Sequence, residues 1–229
     1  KIEQPPADGG KADSMGGARH GFDFQNLHRN KQAITLNLKS KEGHKIFMKL
    51  ARKADVIVEN YRSDVKYRLK VDYKSVKKVN PKIIYGSIAG FGQDGPDAAR
   101  PGVDQIAQGM GGLMSITGEP GQGPMRVGIP IADLTSGLLL AQAIMLALYH
   151  RERTGKGRVV EVTMQDSVYA SLASNLGMLH ARGDAAPSRT GNKHGGLGIA
   201  PYNAYATSDG WVVINAPGDA HFRSILDVI

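Results

Sequence analysis

An α/β fold, built as a mostly parallel sheet with crossover helices, is predicted for this 229-residue chain by two patterns. Strand-like and helix-like runs alternate from residue 32 to residue 88, and a long apolar helix, a strand and a further helix follow one another from 131 to 182. The length suits one large domain or a domain and a half.

The elements follow in order. Lys1 to Gly21 is polar and rich in Gly and Pro. It reads as loop, without the apolar core of a signal peptide. Gln32 to Leu38 alternates apolar and polar residues, as a strand does. Ser40 is placed to cap a helix over Glu42 to Lys53, with Ile46, Phe47 and Leu50 on one face. Asp55 to Val58 reads as a short buried strand ended by Asn60, and a short basic helix follows. Asp72 to Val79 reads as another helix, stopped before Pro81. Lys82 to Ile88 is an apolar strand closed by Gly90.

Gly90 to Arg100 is a Gly-Pro loop. Val103 to Met114 is helical in character with glycines near its end, and Gly118 to Gly128 is loop. A long helix runs from about Ile131 to Arg153 and stops at Thr154-Gly155-Lys156-Gly157. Its apolar stretch is interrupted by Asp133, Thr135, Ser136 and Gln142, which reads as a buried core helix rather than a membrane span. Arg158 to Met164 is a strand, and a helix from near Asp166 reaches about Arg182.

Composition then shifts to a glycine-rich stretch, Gly183 to Gly198. Tyr202 to Thr207 and Trp211 to Ala216 flank Asp209-Gly210 as a hairpin, and a short helix starts near Asp219. The predicted organisation is therefore a large domain over 1–182, a linker and glycine loop over 183–198, and the start of a second, smaller α+β domain over 199–229.

The formal net charge is +8. Much of the excess lies in Lys66, Arg68, Lys70, Lys74, Lys77, Lys78 and Lys82. That stretch is either a solvated face or a surface for an anionic ligand. No helix-turn-helix, zinc finger or RNP-like motif accompanies it, so a nucleic acid is not the expected partner, and with the long apolar stretch read as a core helix a membrane is not expected either. The chain has no cysteine, which excludes disulfides, Fe–S clusters and thiolate zinc sites and fits a reducing, cytoplasmic location. The seven histidines show no metal-ligand spacing, and no metal is expected. There is no Gly-x-Ser-x-Gly elbow.

Open α/β sheets bind ligands beyond the carboxyl ends of their strands. The segments after Val58, Ile88 and Val162 are therefore the places to look for chemistry. The run Val159 to Asp166 delivers a carboxylate from a strand to the start of a helix, where partial positive charge favours an anion. Asp166 is either a nucleophile for an activated carbonyl or the cap of its own helix. Gly191-Asn192-Lys193-His194-Gly195-Gly196-Leu197-Gly198 is either a loop whose N–H groups approach a ligand or a flexible linker.

Several runs together resemble the class III CoA-transferases, of the formyl-CoA transferase and carnitine CoA-transferase type. They are Lys1-Ile2-Glu3, Asn30-Lys31, Asp55 to Tyr61, Ile84 to Gly92, Pro101 to Gln105, Thr154 to Gly157 and Met164-Gln165-Asp166. The resemblance implies a Rossmann-like large domain, an interlocked homodimer, and CoA bound as acyl-CoA. It implies that Asp166 attacks the thioester and releases CoA thiolate. The mixed anhydride then passes through an enzyme–CoA thioester before CoA reaches the acceptor acid. Gly195 and Gly196 match the family's glycine loop. Asn60, Tyr61, Arg68, Val103 and Asp104 fall at its CoA-binding positions. The chain resembles an incomplete member, lacking the opening strand and helix and much of the C-terminal half.

The same family includes α-methylacyl-CoA racemases, which carry a His-Asp pair where this sequence has Val103-Asp104. Valine cannot exchange a proton, which favours transfer over racemisation. A CoA-binding protein without turnover is the remaining alternative.

Overall fold

The computed structural model describes residues 1–5, 22–196 and 198–228. The predicted loop at Lys1 to Gly21 lies outside these residues beyond position 5. Strand β1 (Ile2–Glu3) pairs in parallel with β2 (Ile34–Thr35). The predicted strand over 32–38 is this short because its partner offers only two residues. Helix α1 (Phe22–Leu27) lies between them in sequence.

Helix α2 (Lys41–Ala51) starts where Ser40 predicts, with Ser40 Oγ accepting from the Gly43 N–H at 3.0 Å. Next come β3 (Val56–Glu59), α3 (Ser63–Arg68), α4 (Tyr73–Lys77) and β4 (Ile84–Ala89). Asp72 caps α4, accepting from the Ser75 N–H at 3.1 Å.

The predicted helix over 103–114 is two helices, α5 (Asp104–Met110) and α6 (Leu113–Ile116). They part at Gly111-Gly112, where Gly112 has φ 91° and a Cβ on Gly111 would come within 2.7 Å of Val168 Cγ1. Glycine is needed here both for the left-handed turn and for the close approach.

Helix α7 (Ile131–Thr154) and strand β5 (Arg158–Thr163) follow, with Gly155 in the left-handed region between them. The predicted helix over 166–182 is also divided, into α8 (Met164–Ser171) and α9 (Ala173–Arg182), with the break at buried Leu172. A hairpin of β6 (Tyr202–Ala206) and β7 (Trp211–Asn215) pairs antiparallel around Asp209-Gly210, and α10 (Asp219–Leu226) closes the described chain. Strands β3, β4 and β5 form one sheet in the order β3-β4-β5.

The chain divides into two compact units. The first holds Lys1–Val58, Asp64–Gly86 and Leu146–Val159, and its buried residues include Phe47, Ala51, Val71, Val76, Ile83, Ile84 and Tyr85. Tyr85 is held by its hydroxyl, which donates to the Val71 carbonyl at 3.0 Å. The second unit holds Glu59–Ser63, Ser87–Met145 and Val160–Ile229. Its core joins Ala107, Ala132, Met164 and Val168, with Ile88 and Leu113 packed against them. This cluster seats α8, the helix that carries Asp166, on α5 and the start of α7.

The expectation that the long apolar helix is a buried core helix is corrected. Only Ala132, Ser136, Leu140 and Ala147 of α7 are buried, while Leu138, Met145, Leu146 and Tyr149 are exposed. Every side of the helix is apolar, and the described chain covers one stripe of it.

Candidate active site

The segments that follow β3, β4 and β5 lie together in the second unit. Glu59, the last residue of β3, accepts a hydrogen bond from Ser87 Oγ on β4 at 2.5 Å. Its other oxygen accepts from the Tyr61 N–H at 2.7 Å. Ser87 Oγ in turn accepts from Gln93 Nε2 at 3.0 Å. The loop after β4 also reaches the start of α8, where the Gly90 carbonyl accepts from the Gln165 N–H at 3.1 Å. Gly90 and Gly102 cross so closely that a Cβ on Gly90 would stand 2.5 Å from the Gly102 Cα. Both positions therefore exclude side chains.

Asp166 is the third residue of α8 and not its cap. The cap is Thr163, whose side chain makes no capping bond. The carboxylate is exposed, and among the described residues it makes no hydrogen bond or ion pair. Nothing structural thus occupies it, and it stands at the helix end where a negative charge is favoured. Asn60 is exposed and Tyr61 half-buried. Burial and then the neighbouring Glu59 charge push the Tyr61 phenol above its ordinary pKa, so it stays neutral and able to donate.

The segment that leads into the glycine loop is tied to α6 and the loop after it. Arg189 donates to the carbonyls of Met114 at 2.8 Å and Thr117 at 3.1 Å, and the Gly191 N–H donates to the Gly118 carbonyl at 3.0 Å. Gly196 packs on α9, where a Cβ would come within 2.8 Å of Met178 Cε. The Gly196 N–H donates to His194 Nδ1 at 3.0 Å, which leaves the His194 ring proton on Nε2 when the imidazole is neutral. The His194 ring stands edge-on to Tyr202, 5.4 Å away. Leu197 of this loop lies outside the described residues.

Val103 is exposed at the cap of α5. Beside it, Asp104 accepts from the Ala132 N–H at 2.8 Å and from Gln108 Nε2 at 2.7 Å. Arg68 belongs to the first unit, exposed and paired with Asp64 at 3.2 Å. Such a surface pair holds little energy and leaves the guanidinium largely available. The basic stretch is not uniformly a solvated face, because Lys66 is buried with its ammonium near the rings of Tyr67 and Tyr85, at 5.9 and 6.0 Å. Among the described residues no group of three His, Asp or Glu side chains is placed to hold a metal ion.

The family profile described as CoA-transferase family III matches residues 1–229. The chain belongs to this family. A succinate–glutarate CoA-transferase of Agrobacterium fabrum is 39% identical over 206 residues, covering 90% of this chain and 51% of the relative. An acetyl-CoA:oxalate CoA-transferase of Acetobacter aceti is 42% identical over 207 residues, covering 90% and 52%. A crystal structure of a CAIB/BAIF family protein from Brucella suis superposes with a TM-score of 0.79 at 38% identity, covering 88% of this chain and 52% of that one. The chain thus spans about half the length of the curated relatives it matches. The relatives' names place CoA transfer and the acids succinate, glutarate and oxalate on those proteins.

Sequence reasoning singled out Asp166, Asn60, Tyr61 and the glycine loop but assigned no part to Glu59, Ser87 or Gln93. The available signal was polar residues at the carboxyl ends of two apolar strands, where such sheets place their ligands.

Proposed function

We propose that Asp166 is the covalent nucleophile of a transferase that moves coenzyme A from an acyl-CoA to a carboxylic acid. The observation that carries this reading is the exposed Asp166 carboxylate at the start of α8, without a partner among the described residues, in a chain of family III. The carboxylate attacks the thioester carbonyl, and the C–S bond breaks to release CoA thiolate and leave an acyl–aspartyl anhydride. The thiolate then attacks the aspartyl carbonyl, which frees the donor acid and forms an aspartyl–CoA thioester. The acceptor carboxylate attacks that thioester, again releasing thiolate and forming an anhydride. Thiolate attack on the acceptor carbonyl then yields the new acyl-CoA and restores Asp166.

In the same reading, residues 1–182 hold CoA and 199–229 begin a smaller domain. Asn60 and Tyr61 contact the cofactor arm, and the arginine fork of Arg68 suits its phosphates. Val103 and Asp104 line the approach, and Gly195 and Gly196 shelter the intermediate. The complete protein is a homodimer in the cytoplasm. The succinate, glutarate and oxalate in the relatives' names make short-chain acids the first substrates to try.

The test is Asp166→Ala in the complete protein. Transfer between succinyl-CoA and glutarate, or between acetyl-CoA and oxalate, should fall by several powers of ten while CoA still binds. Turnover within a few fold of the unsubstituted protein would remove Asp166 from the nucleophile's role.

A further inference from the structure

The Glu59–Ser87–Gln93 chain fixes which way the Gln93 amide points. Glu59, as a carboxylate, only accepts, so the single proton of Ser87 Oγ is committed to it at 2.5 Å. The Ser87 oxygen is then an acceptor toward Gln93, and only the amide nitrogen can face it, at 3.0 Å. Gln93 Oε1 is therefore turned away from Ser87. It is buried and has no hydrogen-bond partner among the described residues. A buried acceptor without a donor is costly, and such a group points to a donor supplied from outside the fold.

Its surroundings indicate which donor. Gln93 sits at the carboxyl end of β4, on the loop whose Gly90 carbonyl holds the Gln165 N–H, one residue before Asp166. The same network holds the backbone of Tyr61 through Glu59. An acceptor oxygen needs an N–H or O–H donor, which the ionised carboxylate of a donor or acceptor acid lacks. Acyl-CoA carries two such groups, the amides of its pantetheine arm.

We propose that Gln93 binds the acyl-CoA substrate by accepting a hydrogen bond from a pantetheine amide N–H on Oε1, oriented for this by the Glu59–Ser87 relay. The proposal rests on the transferase reading above.

The test uses the complete protein with Gln93→Met, which keeps the bulk and removes the acceptor. The dissociation constant of CoA by calorimetry should weaken about tenfold, the loss expected for one hydrogen bond. KM for succinyl-CoA should rise with it while KM for glutarate stays unchanged. An unchanged CoA affinity overturns the proposal. If the unsubstituted protein transfers nothing between the acid pairs tried, the transferase reading fails, and CoA calorimetry still decides Gln93 on its own. If Gln93→Met does not fold, the side-chain amide resonances of Gln93 in the unsubstituted protein give the answer. They should shift on titration with CoA, and no shift at saturation overturns the proposal.

Discussion

Both oxygens of the Asp104 carboxylate accept hydrogen bonds inside the second unit, from Ala132 N–H and Gln108 Nε2. Gln108 is fully buried and passes the link on, accepting from the Val127 N–H at 2.9 Å. Asp104 thus ties the start of α5 to the segment that opens α7, whatever it also does for a substrate. Its charge acts on Asp133, whose carboxyl is raised above the ordinary Asp pKa by burial first and by Asp104 second. A raised carboxyl binds its proton more tightly in the folded state. Its contribution to stability is fully present below the ordinary Asp value and is lost as pH rises through the raised one. Asp133→Asn removes that loss. Because Asp133 is largely exposed, the effect belongs to the scale of surface charge pairs, and a melting temperature about 1 °C above the unsubstituted protein is expected at pH 7. The difference should vanish near pH 3. Melting curves at the two pH values measure this. A variant that melts lower at pH 7 would mean that the N-terminal dipole of α7, which favours a negative charge at Asp133, outweighs Asp104 and burial.

Helix α2 begins on a single side chain. Ser40 Oγ accepts from the Gly43 N–H and donates to the Asn37 carbonyl at 2.9 Å. Ser40→Ala removes both bonds at a half-buried helix start. It should cost about 1 kcal/mol, seen as a melting temperature lower by about 2–4 °C, with CoA binding untouched. This cap was legible in the sequence because capping is local, as were the stop at Gly155 and the Asp209-Gly210 turn. The breaks at Gly111-Gly112 and Leu172 were not, since each depends on how α5, α6, α8 and α9 pack rather than on neighbours in sequence. The start of α8 was misplaced for the same reason. With Asp166 taken as the first helical residue, a capping role stays open; with Thr163 as the cap, it closes. Within the site, Asp166 stood out as a carboxylate at a strand-to-helix junction. The Glu59–Ser87–Gln93 relay joins residues 28 and 6 positions apart, and no spacing rule connects them until β3 and β4 are side by side.

At the scale of the whole molecule, α7 poses the largest unmet demand. Its buried residues Ala132, Ser136, Leu140 and Ala147 form one stripe, while Leu134, Leu138, Met145 and Tyr149 follow another that faces solvent. Leu138 is 72% exposed and Met145 66%. Covering such side chains is worth about 1.5–3 kcal/mol each, so a helix apolar all round is not left bare in a working protein. By length and composition α7 is also able to cross a membrane. Two observations favour a protein cover. The relatives are about twice the length of this chain, and Ala132 and Met164 already pack this helix's first turn into a folded core beside Asp104. We expect the complete protein to be a dimer by sedimentation without detergent and to stay in solution when mixed with phosphatidylcholine–phosphatidylglycerol vesicles. Leu138→Glu with Met145→Glu should then lower its melting temperature by about 5 °C or more, or dissociate it, because two charges would be buried unpaired. The same pair of changes in the 229-residue chain should leave the melting temperature within about 2 °C, since both side chains already face water there. Flotation of the complete protein with the vesicles would instead assign the outer stripe of α7 to lipid.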